Sequence, residues 1–335
     1  MINGVLNIYK EKGYTSHDVV ACLRKIVGQK KIGHTGTLDP DAEGVLPVCL
    51  GRATKLCDLL TDRNKTYEAV LLLGRTTDTQ DISGTILKEC DASGISEEEA
   101  ADHIYRFVGE YDQVPPMYSA LKVNGKKLYE LAREGKTVER KSRRIHIFGI
   151  RILEMDLPRI RMEVECSKGT YIRTLCHDIG ESMGVGGCME SLKRTKSGQF
   201  SAEKSVRLSQ VEAAKDQGRL MELVIPLDAM FSDLQPVVLK ESSVRTAYNG
   251  GTFSPACLQG RAECRPGEEY RVYDREGRFI AVYRYDGERR KFVLKKMFLD
   301  PDMKKRQKVQ EKYADSNRDR VPPMEKKDSG HTGEI

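Results

Sequence analysis

The chain has 335 residues, 32% of them charged, and a formal net charge of +6. That length suggests about two domains and a core large enough to need no disulfide or metal staple. The mild charge excludes a histone-like polycation but permits a local basic patch, and no apolar run approaches the ~20 residues of a membrane-spanning helix. The first residues, MINGVLNIYK, lack the basic-then-apolar pattern of a secretory signal, so a cytoplasmic protein is expected. The nine cysteines include no C-x-x-C pair, which disfavours a zinc ribbon or redox motif. They are expected to act as small buried hydrophobes.

In chain order, residues 2–9 read as a short strand. Thr15 and Ser16 can cap a helix to about Val27, with Val19, Leu23, Ile26 and Val27 on one face. Residues 28–44, rich in Gly and acids, read as a loop. Residues 45–50 return to strand, and 52–62 to helix. KTYEAVLLLG at 65–74 is a strong strand. Ser96 and Glu99 form a capping-box pattern for a helix through Phe107. Asn124-Gly125 between SALKV and KKLYE signals a type I′ hairpin, followed by a short helix over 127–133. Residues 143–155 and 159–167 read as strands. In the second, Ile160, Met162, Val164 and Cys166 alternate with polar residues, so one face is buried and one wet. A helix over 171–183, a strand over 186–200 and a helix over 208–217 follow.

After Pro236 the texture shifts to short strands with Gly and charged turns, a small β module of about 65 residues. Residues 301–335 lack Leu, Phe and Trp and read as a disordered tail. The whole is expected to be α+β: a mixed, largely antiparallel sheet flanked by helices, plus the C-terminal β-rich module.

The densest chemical cluster is GHTGTLDPDAEG at 33–44. Its glycines let the backbone approach a ligand closely, and Pro40 biases Asp39 toward an extended conformation. A carboxylate on such a loop can serve as nucleophile, base or metal ligand. Three readings compete: a solvated surface loop, a metal site from His34, Asp39, Asp41 and Glu43, and a phosphate loop. The ligand spacing is irregular for a metal, and the Lys-Ser/Thr ending of a P-loop is missing.

Residue identity goes further than spacing. GHTGTLDPDAEGVLPVCLGRATK at 33–55 resembles the signature of the TruB family, the bacterial tRNA pseudouridine-55 synthases. KTYEAVLLLGRTTDTQDISG at 65–84, PPMYSALKVNGKKLYELAREG at 115–135, CSKGTYIRTLCHDIG at 166–180 and LKRTKSGQF at 192–200 resemble the family's later motifs, in the expected order. Residues 236–298 resemble its small PUA-like RNA-binding module. The resemblance implies a catalytic domain over 1–232 with an RNA-gripping insertion at about 115–145, the module over 233–300, and the tail.

The resemblance also implies the chemistry: uracil is detached from its ribose, turned, and rejoined through C5, without cofactor or metal. Asp39 matches the family's catalytic aspartate, which acts covalently. Arg173 matches the arginine that pairs with it, with a bidentate fork as the expected geometry. Tyr67 matches the tyrosine that stacks on the flipped base and can serve as a base. Tyr171 and Leu192 match pocket positions. His34 matches the histidine that fills the space left by the flipped nucleotide. Asp81 matches an acidic residue that holds pocket residues, and Lys55 a phosphate or pocket contact. The implied partner is the T-stem loop of tRNA, bound without guide RNA or membrane by a monomer. An RNA-folding protein that flips the loop without chemistry is the alternative, and guide-dependent relatives share the catalytic motifs.

Residues 122–144 hold nine Lys and Arg against three Glu, which equals the excess of the whole chain. Lys122, Lys126, Lys127, Arg133, Lys136, Arg140, Lys141, Arg143 and Arg144 therefore read as a phosphate-contacting arm.

Overall fold

The computed structural model describes residues 1–123 and 125–299. The tail over 301–335 and Asn124 of the hairpin lie outside the described residues.

The strands are β1 (Gly4–Lys10), β2 (Ile32–His34), β3 (Glu43–Leu50), β4 (Lys65–Leu73), β5 (Arg75–Thr77), β6 (Ile86–Glu89), β7 (Gly109–Gln113), β8 (Lys122–Val123), β9 (Lys126–Lys127), β10 (Arg143–Asp156), β11 (Arg159–Cys166), β12 (Gly187–Ser197), β13 (Phe200–Ser201), β14 (Gln235–Val238), β15 (Glu269–Tyr273), β16 (Phe279–Asp286) and β17 (Lys291–Met297). The helices are α1 (Ser16–Val27), α2 (Cys57–Thr61), α3 (Glu97–Tyr105), α4 (Leu128–Arg133), α5 (Ile172–Ser182), α6 (Leu208–Asp216), α7 (Leu220–Leu223) and α8 (Glu241–Tyr248).

The chain divides into two compact units, the first ending at Leu227 and the second starting at Asp228. In the first, one mixed sheet runs in the order β1-β3-β12-β4-β11-β10-β7, with β2 on β3 and β13 on β12. Its pairings are antiparallel except β12 on β3, a short parallel seam at Lys193↔Glu43 and Arg194↔Gly44. β4 buries Tyr67, Ala69 and Leu71 and turns Thr66, Glu68 and Val70 outward. The same alternation in β11 buries Ile160, Met162, Val164 and Cys166. These residues form one core with Leu175, Cys176 and Ile179 of α5 and Ala100 and Ile104 of α3. A second core joins Leu6, Ile8, Leu46 and Val48 of the sheet to Val19, Leu23 and Val211 of α1 and α6. The α+β class follows: one largely antiparallel sheet, with helices supplying both cores.

Thr15 caps α1 through a reciprocal capping box with Asp18, and left-handed Gly28 ends it. Ser96 caps α3 by accepting from the Glu99 N–H. β8 and β9 pair antiparallel, with Val123 opposite Lys126. Several local expectations need correction. The stretch expected as helix over 52–62 is a 3₁₀ turn, Gly51–Leu56, before the five-residue α2. The loop over 28–44 contains β2, pinned by pairing with β3. The strand expected over 186–200 ends at Ser197 and folds back into β13. The β5–β6 hairpin and β7 carry too little apolar periodicity to be read from sequence. Of the nine cysteines, four are buried and five half-buried. The second unit carries β14-β15-β16-β17 and a helix, α8, that the sequence pattern did not reveal.

The parallel seam requires Gly44. Its φ is +108°, and a Cβ there would meet the Arg194 carbonyl oxygen at 2.2 Å. Gly44→Ala is expected to cost about 2 kcal/mol or more in unfolding free energy. Urea denaturation checks this, and a loss below about 0.5 kcal/mol, the usual surface range, would contradict it.

Candidate active site

The loop over 35–42 links β2 to β3 and carries Asp39. It is pinned along its length. Ser16 Oγ accepts from the Leu38 N–H at 2.9 Å, and the Leu38 side chain is buried. The Gly13 N–H donates to the Pro40 carbonyl at 2.9 Å, and the Ala42 N–H to the Asp39 carbonyl at 3.1 Å.

Two buried cations hold the loop's backbone. Lys10, fully buried at the end of β1, donates to the carbonyls of Ala42 at 2.6 Å, Pro40 at 3.1 Å and Glu11 at 3.1 Å. Arg194, 1% exposed on β12, donates to Val45 O at 2.7 Å, Gly36 O at 3.3 Å and Thr37 O at 3.5 Å. The loop is thus clamped on both sides of Asp39, while the Asp39 carboxylate itself remains 44% exposed.

That carboxylate faces Arg173, whose Nε lies 3.1 Å from Asp39 Oδ2. Arg173 is only 7% exposed, in the first turn of α5. The expected bidentate fork is not formed. Its two terminal nitrogens are taken elsewhere: one donates to Thr79 O at 3.0 Å and lies 3.5 Å from Asp81 Oδ2, the other donates to Tyr118 O at 2.8 Å. Asp81 is fixed in turn by the hydroxyls of Thr79 and Ser83.

Tyr67 stands on β4, directly opposite Arg194 of β12 and Val164 of β11. Burial pushes its phenol above the ordinary value, and the nearby Arg194 charge pulls it back. Leu192 lies half-buried on β12 opposite Ala69 and packs on the same core. Tyr171 precedes α5, and burial raises its phenol too. His34 ends β2. Burial, then the charges of His17 and Arg194, lower its imidazole. Its ring meets His17 edge-on at 5.3 Å, and its Nδ1 is buried with no partner among the described residues. Lys55 lies exposed on the 3₁₀ turn after β3. The structure thus joins Asp39, Arg173 and Asp81 in one ion-pair network and sets Tyr67 beside Arg194.

Among the described residues, no group of three or more His, Cys, Asp or Glu side chains is arranged to hold a metal ion.

The basic arm is less free than its composition suggests. Arg144 pairs with Asp112 at 2.8 Å and Glu110 at 2.7 Å across the β10–β7 ladder. Arg140 donates to Pro115 O, and Lys136 pairs with Glu134 at 2.7 Å. Lys126 lies 3.6 Å from Glu134, and Lys127 and Arg133 both sit over the Tyr129 ring.

Two family models match consecutive stretches of the chain. The TruB family pseudouridylate synthase N-terminal domain covers residues 24–172, and the tRNA pseudouridylate synthase B C-terminal domain covers 173–232. The chain belongs to the TruB family. The first model spans Asp39, Tyr67 and Asp81, and the second begins at Arg173. The tRNA pseudouridine synthase B of Lachnoclostridium phytofermentans is 48% identical over 89% of this chain and 100% of its own length. That of Clostridium tetani is 45% identical over 84% and 95%. Among solved structures, a chain of a Cbf5-Nop10-Gar1 complex aligns with a TM-score of 0.66 at 27% identity, over 89% of this chain and 86% of its own. A chain of an H/ACA RNP bound to substrate RNA aligns with a TM-score of 0.65 at 26% identity, over the same shares. This TruB-family chain thus shares its fold with chains of the H/ACA RNP and Cbf5-Nop10-Gar1 complexes and much more of its sequence with the tRNA pseudouridine synthase B relatives.

Sequence reasoning missed Lys10, Arg194 and Gln113. The signal for Arg194 was its place two residues after Leu192, which puts both on one face of a strand. A lysine ending an apolar strand is the corresponding signal for Lys10.

The environment of Lys10 has a measurable consequence. Burial lowers its ammonium from 10.5 to about 8, against the pull of Asp39, Asp41 and Glu43. Between those values the unfolded chain holds this proton and the folded chain does not. The group's contribution to stability therefore rises with pH across that window. The unfolding free energy of wild type relative to Lys10→Met is expected to increase from pH 8 to 10.5 by on the order of 2–3 kcal/mol. A difference that stays constant over the window would contradict it.

Proposed function

We propose that this chain converts uridine to pseudouridine in the T loop of tRNA, at position 55, without cofactor, metal or guide RNA. The observation that carries the reading is the half-exposed Asp39 carboxylate on a clamped loop, ion-paired to a buried arginine and near enough to Tyr67 for its charge to be felt there. A binder that only unfolds RNA has no use for such a pair. The names of the 48% and 45% identical relatives support tRNA as the substrate.

The reaction breaks the bond from ribose C1′ to uracil N1 and forms one from C1′ to C5. N1 gains a proton and C5 loses one, so atoms and electrons balance without a redox partner. Asp39 acts as the covalent catalyst. Nucleophilic attack by its carboxylate divides one difficult exchange into two easier steps. Arg173 holds that carboxylate, and the clamped loop removes the entropy of searching for the reactive geometry. Tyr67 provides a flat face for the flipped uracil and a phenol near its C5 proton. His34 fills the space that the extruded nucleotide leaves in the folded loop, offsetting part of a flipping cost of a few kcal/mol. Tyr171 and Leu192 line the pocket, Asp81 fixes Arg173, and Lys55 contacts phosphate.

The arm over 115–145 grips the RNA backbone. Lys122, Lys126, Lys127, Arg133, Lys136, Lys141 and Arg143 supply that grip. Arg144 uses its guanidinium on Asp112 and Glu110, and Arg140 is tied by one terminal nitrogen to Pro115 O, so they shape the arm's base instead. The β module after residue 232 adds a PUA-like RNA contact. The enzyme works as a cytoplasmic monomer.

The test is incubation with an unmodified tRNA transcript, followed by mapping of pseudouridine. Wild type is expected to modify the T-loop uridine at position 55 and leave the other uridines unchanged. Asp39→Asn is expected to form none while binding the transcript with an affinity within about threefold of wild type, since the loop's clamps do not involve that carboxylate. Near-wild-type turnover by Asp39→Asn would overturn the assignment. Turnover by neither protein, with tight binding by both, would favour the RNA-folding alternative.

A further inference from the structure

Gln113 ends β7 with its side chain buried, 1% exposed. Its amide makes two bonds to a single residue. Nε2 donates to Tyr171 O at 3.0 Å, and Oε1 accepts from the Tyr171 N–H at 2.8 Å. A residue on a neighbouring antiparallel strand makes the same exchange with its backbone. Only one amide orientation satisfies both bonds, because each needs a different end of the group.

Tyr171 is a weak point in the local sequence. It stands immediately before α5, extended at φ −100° and ψ 107°, with no side-chain cap bond. Helices ordinarily start at Ser, Thr, Asp or Asn, whose oxygen accepts from a free N–H of the first turn. Tyrosine cannot do this. The bonds from Gln113 fix its backbone instead, and Arg173 departs from that backbone two residues later. The guanidinium of Arg173 must then meet Asp39, Thr79 O and Tyr118 O together. That leaves little tolerance in where α5 begins.

We propose that Gln113 is a positioning residue for pseudouridine formation, acting through Tyr171 to set Arg173 against Asp39. The proposal rests on the proposed roles of Asp39 and Arg173 in that reaction. It assigns to the strand before the RNA-gripping arm a second task, that of aligning the catalytic ion pair. A residue with this role affects the chemical step and leaves RNA binding alone.

The experiment compares wild type, Gln113→Met and Gln113→Glu in steady-state kinetics on an unmodified tRNA transcript. Methionine keeps the length and loses both bonds. Glutamate keeps the shape and the acceptor, so it serves where Gln113→Met does not fold. For each folded variant, kcat is expected to fall about tenfold to a hundredfold, the range for a small misplacement of a reacting group. KM for tRNA is expected to stay within about twofold, with Gln113→Glu between wild type and Gln113→Met in kcat. A folded variant with wild-type kcat, or a loss confined to KM, would overturn the proposal. An inactive wild type would instead refute the proposed function, so the two failures are distinguishable.

Discussion

One buried guanidinium organises the site. Burying a charge is costly unless it meets an opposite charge and enough hydrogen-bond acceptors. Arg173 meets both conditions by drawing on three stretches of chain besides its own helix: the loop of Asp39, the hairpin of Thr79 and Asp81, and the base of the arm at Tyr118. Each stretch must be in place for the cation to be satisfied. The position of the Asp39 carboxylate is therefore a property of the whole first unit, not of its loop alone.

The opposite side of the loop repeats the device with neutral partners. Lys10 and Arg194 donate to backbone carbonyls flanking Asp39, so the loop is rigid although it contains no regular structure. Arg194 also stands opposite Tyr67 in the sheet. One buried arginine thus touches the loop of the proposed covalent catalyst and neighbours the tyrosine proposed to face the base. Positive charge lies under the loop as well as on the arm. The count of +6 over residues 122–144 overstates the arm's free charge, because Arg144 faces Glu110 and Asp112, which lie outside that stretch.

Much of this was legible in the sequence, for physical reasons that differ by element. β11 alternates along its length and β4 over residues 65–71 because one face is buried there, and α1 carries both its cap and its left-handed stop. Asp39, Tyr67, Asp81 and Arg173 were legible through resemblance; periodicity alone would have left each as a solvated or core residue. What stayed hidden depends on contacts distant in sequence. The 3₁₀ turn over Gly51–Leu56, the three-residue β2 and the exposed β6 have no pattern of their own. Lys10 and Gln113 were missed because their partners lie 32 and 58 residues away. The fork expected between Arg173 and Asp39 failed for the same reason, since competing acceptors at Thr79 and Tyr118 come from other elements.

The most direct test of the arginine's role is the single-turnover rate of pseudouridine formation by Arg173→Lys, measured beside its affinity for the same tRNA. Lysine keeps the charge but cannot reach Asp39 and the two carbonyls together. The rate is predicted to fall about a hundredfold or more, with affinity within about threefold of wild type. A rate within about twofold of wild type would show that charge alone suffices, and would contradict the claim that the fixed geometry of Arg173 organises the site.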